Sequence, residues 1–508
     1  MAAAWLLAVP LAASRADCVV LRDVPNYYWY HGCSPTAGMM VLGYWDACGC
    51  PNLIPGANTP SGTVDNLIAS PQHVSDYALY KGVDDSGYAS PYPDKSSLGG
   101  AHASNCLADF MYTSESSAGN CYGETATDQI AAGMARYATW KGYSFTPNDI
   151  WVAQPQWSDF IKEIQFGRPV VLGVDSDGDG HLDHSATAIG YRTTNGYFEY
   201  LCRDTYGEEW EPRWARFTPI AFGTEYGVGS MATLRPVGTS DSTWKGASGA
   251  SWNTSTNWQG NVVPTASTFV WLPSTAQVTA TASSGARMLQ LQGGLAIQST
   301  MALGALRVLD GGSVTLTTGT PRLAVANAFV SDGLITQSTG TVTAAGGLVF
   351  GPGWTSPQAA RYDISGGQLS VTGTLAMNPV DAGNPRFHLS GTGDVRATAM
   401  IDVEAGRFEW YGGTVTTPKM HLGPNGRLVM GTSFSMNSLA DGTLLHGGTI
   451  EGYHDDTENV DYGPEIEVTH SASATHTAYS FNLYSLTVGS SAGPGTYLAS
   501  GSASLDAT

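Results

Sequence analysis

Tyr28-Trp29-Tyr30-His31-Gly32-Cys33-Ser34-Pro35-Thr36-Ala37-Gly38-Met39-Met40-Val41-Leu42-Gly43-Tyr44-Trp45-Asp46 sets an aromatic loop against an apolar helix, with a cysteine at the join. A thiol at a helix N-terminus meets unpaired amide N–H groups and the positive end of the helix dipole. Both favour thiolate, the nucleophilic form. Such a thiol needs a base and a group to orient that base. Downstream, His184 opens the apolar run Ser185-Ala186-Thr187-Ala188-Ile189-Gly190-Tyr191. Asp204 follows the next run, Tyr197-Phe198-Glu199-Tyr200-Leu201-Cys202. The order Cys, His, Asp suggests acyl-transfer chemistry at a cysteine.

Outward from this segment, residues 17–237 mix helical and strand patterns. Helices are expected from Cys33 or Ser34, over Thr127–Lys141 and over Gln156–Gln165. Strands follow at Pro169–Val174, after His184, and from Gly196 to Cys202, with Thr194-Asn195-Gly196 as a hairpin turn. Helices first and consecutive strands second is an α+β order.

A carboxylate-rich loop precedes His184: Asp175-Ser176-Asp177-Gly178-Asp179-Gly180-His181-Leu182-Asp183. Alternating acids with Gly180 at the sharp turn are the grammar of a calcium loop, in which hard oxygens wrap one cation. Asp175, Asp177, Asp179 and Asp183 are the candidate ligands, with the His181 carbonyl as a further one. Ala186 stands where an EF-hand places its last ligand, so the loop is an incomplete version. The rival reading is a solvated acidic turn.

The residues around Cys33, His184 and Asp204 resemble the papain-like cysteine peptidases. Within them they are similar to the bacteriocin-processing (double-glycine leader) type and its secreted relatives. Gly32-Cys33-Ser34-Pro35-Thr36-Ala37, Asp183-His184 with Ala188-Ile189-Gly190-Tyr191, and Arg203-Asp204 carry the resemblance. Asn105-Cys106-Leu107-Ala108-Asp109-Phe110-Met111 also looks like the secreted group. The resemblance implies that Cys33 attacks a peptide carbonyl, His184 shuttles the proton and Asp204 orients the imidazole. It implies a peptide or protein substrate. One departure stands out: relatives place a Gln before the cysteine as an oxyanion donor, and none occurs over Asn26–His31. Tyr28, Trp29 and His31 are the substitutes on hand; His31 otherwise reads as a loop histidine near the cleft, and His73 and His102 as surface residues.

The chain has 508 residues, enough for two or more domains. Its net charge of −20 argues against nucleic acid or an anionic membrane as the main partner. No apolar run reaches the roughly 20 residues that span a bilayer. Residues 1–16 read as an export signal, with an apolar stretch and Ser14-Arg15-Ala16 before the cleavage point. Export implies a secreted or cell-surface protein. It also leads us to expect disulfides, with Cys106–Cys121 as the simplest pair and Cys33 free. Zinc is the rival use of cysteine, but Cys48-Gly49-Cys50 lacks ligand spacing.

Residues 238–243 read as a linker, and the grammar changes over 244–508. Cysteine vanishes, and short strands alternate with Gly pairs such as Gly293-Gly294 and Gly366-Gly367. The intervals suggest a rung of about 18–23 residues and hence a β-solenoid, with a β-sandwich array as the rival. Trp244, Trp252 and Trp258 with Val263-Pro264 resemble the opening of Gly-rich β-repeats in bacterial surface proteins, which implies display or binding of an extracellular ligand. The competing class is therefore a surface adhesion or scaffold protein whose first half is a weak or inactive peptide binder.

Overall fold

The computed structural model describes residues 18–56, 58–77, 102–120, 123–151, 156–205, 212–351, 360–377, 385–417 and 419–430, with short strands between 449 and 507. The segment read as an export signal lies outside the described residues. Among the described residues no helix is long and apolar enough to cross a membrane.

The first half is α+β. Helix α1 (Cys33–Ala47) is its axis, with every residue from Ser34 to Trp45 buried. A helix apolar on all sides must be surrounded, and this one is. It packs on helix α2 (Gly62–Ile68), helix α4 (Leu107–Met111), helix α5 (Ile130–Trp140) and the sheet. The remaining helices are α3 (Pro71–Tyr77) and α6 (Trp157–Gln165). The sheet is antiparallel and has seven strands: β1 (Cys18–Val20), β2 (Phe145–Trp151), β3 (Val170–Asp175), β4 (His184–Thr194), β5 (Tyr197–Arg203), β6 (Arg213–Arg216) and β7 (Gly227–Pro236). Its order is β2-β7-β3-β4-β5-β6, with β1 also on β4. The β4–β5 hairpin turns on Asn195 and Gly196, both at positive φ, as the Asn-Gly pair predicts.

Thr187 Oγ1 donates to the Ala37 carbonyl at 3.0 Å, and Ser34 and Ser185 share a hydroxyl bond of 2.9 Å. These bonds register helix α1 against strand β4. The N-terminal turn of one and the first residues of the other thus meet at one place.

The second half is a large open sheet whose strands pair in parallel with strands two or three further on. One ladder runs Val278, Leu295, Val314, Ile335, Tyr362, Phe387, Phe408, with successive partners 17, 19, 21, 27, 25 and 21 residues apart. All seven are buried. The ring of Phe387 stacks on Tyr362 at 5.1 Å and on Phe408 at 4.9 Å. Trp244, Trp252 and Trp258 cluster at the start of the ladder, the Trp258 Nε1–H donating to the Trp252 carbonyl at 2.7 Å.

Ser240–Thr243, within the segment read as a linker, forms strand β8, parallel to Thr268–Trp271. Its Asp241 accepts from Arg168 at 2.9 Å and lies 3.2 Å from Arg235. The halves share an apolar core in which Trp45 meets Phe269 edge-on at 6.0 Å. Buried Arg307 pairs with Asp23 and lies over the Tyr44 ring at 4.8 Å. Arg22 donates to Asp332 at 2.5 Å and to the Gly351 carbonyl at 2.7 Å. The Gln290 side chain donates to the Ile164 carbonyl and that of Gln292 to the Cys18 carbonyl.

Candidate active site

Cys33 is the first residue of α1, placed there by a turn that ordinary residues resist. His31 has φ 57° and Gly32 has φ 147°. A Cβ on Gly32 would lie 2.9 Å from Thr113 Cγ2 and 3.0 Å from the Gly123 carbonyl oxygen. Thr36 closes the turn, its Oγ1 donating to the Gly32 carbonyl at 2.8 Å and accepting from the Tyr30 N–H at 3.1 Å.

Strand β4 begins at His184, opposite this turn. Cys33 lines the same cleft as His184 and Ser185, and these two residues are the groups that act on its thiol. His184 Nε2 faces Asp204, 3.1 Å from Oδ1 and 3.1 Å from the Asp204 carbonyl oxygen. The three residues picked from the sequence therefore converge. Burial alone would raise the Cys33 thiol. The hydrogen bond and charge of His184, with hydrogen bonds from Ser185, outweigh it and hold the thiol below its ordinary value. Burial alone would lower the His184 imidazole, but its hydrogen bonds to Asp204 and Cys33 raise it well above the ordinary histidine value. Opposed shifts of this kind favour a thiolate beside an imidazolium.

The array opens into a cleft of about 530 Å³ lined by Trp29, residues 123–127, Leu182, Asp183 and His184. Of the three substitutes for the missing Gln, Trp29 lines the cleft. Tyr28 is exposed, and His31 is buried edge-on to His73 at 5.1 Å. His31 is therefore not the cleft residue its position in the loop suggests. Burial, then the neighbouring His73, lowers its imidazole to about 4.

His73 and His102, read as surface residues, are buried and half-buried. His73 Nδ1 is 2.6 Å from Asp109 Oδ1, while His102 spans Asp76 at 3.0 Å and Asp109 at 3.3 Å. Asp109 also accepts from the N–H groups of Asn105 and Cys106. Through His73, whose ring meets His31 edge-on, this network touches the loop that leads into Gly32. Its signal in the sequence is faint, because the three segments lie far apart.

Cys33, Cys48, Cys50, Cys106 and Cys202 are free thiols, so the expectation of disulfides with Cys33 alone free is not met among these cysteines. Cys121 lies outside the described residues. Cys48, Cys106 and Cys202 are buried, and burial raises their thiols; Cys48 accepts from Arg307 at 3.3 Å, and Cys106 lies beside His73 and Asp109.

In the acidic loop, Asp175, Asp177 and Asp183 bring oxygens within 4.8 Å of one another. Asp179 is not in that group; its Oδ1 accepts from the His181 N–H at 2.8 Å. The buried Asp175 carboxylate accepts from the N–H groups of Gly178, Asp179 and Gly180. Gly180 turns at φ 90°, and Ala186 points into the core. Three carboxylates and a tight glycine turn suit a hard cation.

The sequence reading missed Tyr226. Its Oη donates to Asp204 Oδ2 at 2.6 Å, and Arg213 lies 3.8 Å over its ring and 4.0 Å from that oxygen. A lone tyrosine between turn glycines carries no periodic signal.

No curated protein matches the chain. Residues 21–222, which carry the whole thiol–imidazole–carboxylate array, match the model of the Peptidase_C39 like family, and that match supports a C39-type cysteine peptidase domain over this stretch.

Proposed function

We propose that the first half is an extracellular cysteine endopeptidase working through Cys33, His184 and Asp204. The observation that carries this reading is the convergence of the three side chains at a helix N-terminus, in an open cleft. The Cys33 thiolate attacks the substrate carbonyl and forms a tetrahedral oxyanion, with the Cys33 N–H as one donor. Collapse breaks the C–N bond, and the His184 imidazolium protonates the departing amine. His184 then takes a proton from water, which attacks the thioester and releases the acid. Asp204 keeps Nε2 of His184 occupied, so that Nδ1 serves the thiol. Of Tyr28, Trp29 and His31, Trp29 lines the cleft, which supports it as the second oxyanion donor.

Labelling with iodoacetamide across pH tests this reading. Cys33 should react rapidly well below pH 8, and His184→Ala should move the profile to the ordinary thiol range near 8.5. Slow labelling of wild type would favour the peptide-binding scaffold instead.

The acidic loop is part of the proposal as a calcium site, with Asp175, Asp177 and Asp183 as ligands and Asp179 shaping the turn. Calcium there would stiffen the chain leading into His184. Chelation should lower the melting temperature and slow Cys33 labelling, both restored by added calcium. Indifference to the chelator would remove calcium from the account.

We read the second half as a β-solenoid, supported by its parallel, in-register ladders and buried inward stripe. Export by residues 1–16 and surface binding by the repeat complete the proposal. Secretion of a full-length fusion lacking 1–16 would overturn the export step.

A further inference from the structure

We infer that Tyr226 is a positioning residue of the Cys33–His184–Asp204 array, holding the Asp204 carboxylate in the orientation that serves His184. This rests on the peptidase reading above.

Asp204 follows the end of strand β5 and is nearly buried. A carboxylate gripped at one oxygen can still rotate about its terminal torsion, which is broad and roughly two-fold. Here the oxygens are divided: Oδ1 faces His184 Nε2 at 3.1 Å, and Oδ2 accepts from Tyr226 Oη at 2.6 Å. Two donors on opposite oxygens fix the plane, as an orienting partner does for a metal-bound histidine.

Tyr226 is itself firmly held. Its N–H donates to the Asp175 carbonyl at 2.5 Å, and its own carbonyl accepts from Tyr200 Oη at 2.9 Å. The Arg213 guanidinium covers its ring. Its backbone lies in the left-handed region, φ 60°, which a bulky residue occupies only when its surroundings impose it. The strain sits at the residue that touches the array through Asp204. Tyr226 also bonds to the backbone of Asp175, the first acid of the loop before His184, so it joins that loop to the far side of the imidazole.

The test uses the full-length chain and one internally quenched peptide that wild type cleaves. Tyr226→Phe removes the hydroxyl and keeps the ring. It should lower kcat about tenfold, the effect of losing one hydrogen bond to a charged group, with KM unchanged. Asp204→Asn should lower kcat further, and the double variant should be no slower than Asp204→Asn alone. That non-additivity separates positioning through Asp204 from a general structural effect. Wild-type turnover in Tyr226→Phe, or full additivity in the double variant, would overturn the inference and leave the peptidase reading intact. A wild-type chain with neither turnover nor rapid Cys33 labelling would sink that reading and this one with it. If Tyr226→Phe does not fold, tyrosine-labelled wild type decides by NMR. A slowly exchanging Tyr226 hydroxyl proton that shifts in Asp204→Asn supports the inference, and its absence refutes it.

Discussion

At the scale of single residues, the position of Cys33 depends on a residue with no side chain. Gly32 adopts a conformation that costs other residues on the order of 1–3 kcal/mol, and a methyl there would press on Thr113 and the Gly123 carbonyl. Gly32→Ala should therefore lower the melting temperature and slow alkylation of Cys33 at least tenfold at pH 6. Melting and labelling like wild type would show that the turn does not set the thiol. The pair also has a pH signature. The depressed thiol makes thiolate available in the neutral range, and the raised imidazole keeps its proton there. Turnover should fall on the alkaline side, as His184 loses the proton it must give to the leaving amine. Alkylation, which needs only thiolate, should not. Parallel decline of both would contradict an ion pair at this site.

At the scale of elements, legibility followed length and periodicity. Helix α1 was readable because its apolar run is long and begins at a glycine–cysteine step. Helices α2, α3 and α4 have only seven, seven and five residues, too few for a helical period to show. Strand β2 carries Pro147, Asn148 and Asp149, poor strand formers, and exists because β7 pairs with it along its length. Asp149 has a second task there, accepting from the Ala131 N–H at the start of α5. The Cys–His–Asp array was legible because each member borders an apolar run. Tyr226 and the Asp109 network were not, since their contacts join residues from separate segments. In the second half the described Gly pairs fall at or beside turns between strands, and the ladder steps of 17 to 27 residues range wider than the rung of about 18–23 that the sequence suggested. Its aromatic step is the place to test packing. Phe387→Ala, between two stacked rings, should cost about 3–5 kcal/mol and lower the melting temperature of this half. A loss under 1 kcal/mol by denaturant titration would mean that the ladder does not hold the half together.

At the scale of the whole molecule, the chain is less a head with a tail than two layers with a buried seam. Arg307 is fully enclosed between them, its charge met by Asp23 and its face by Tyr44. Arg307→Ala would strand Asp23 and should cost about 3–5 kcal/mol, whereas Arg307→Met together with Asp23→Leu should recover much of it. Equal losses in the single and double variants would show that the ion pair is not the cause. The seam has a further meaning in time. Arg22 and Asp332 are 310 positions apart in the chain, yet they bond directly. A ribosome delivers the first partner long before the second. Until then, Tyr44 and Trp45 at the far end of the cysteine-bearing helix lack the surface that covers them. Contacts of such span form late and slowly, because the intervening loop must be closed before they reward it. The first half can therefore reach its final packing only once the chain has been made past Gly351, about two thirds of its 508 residues.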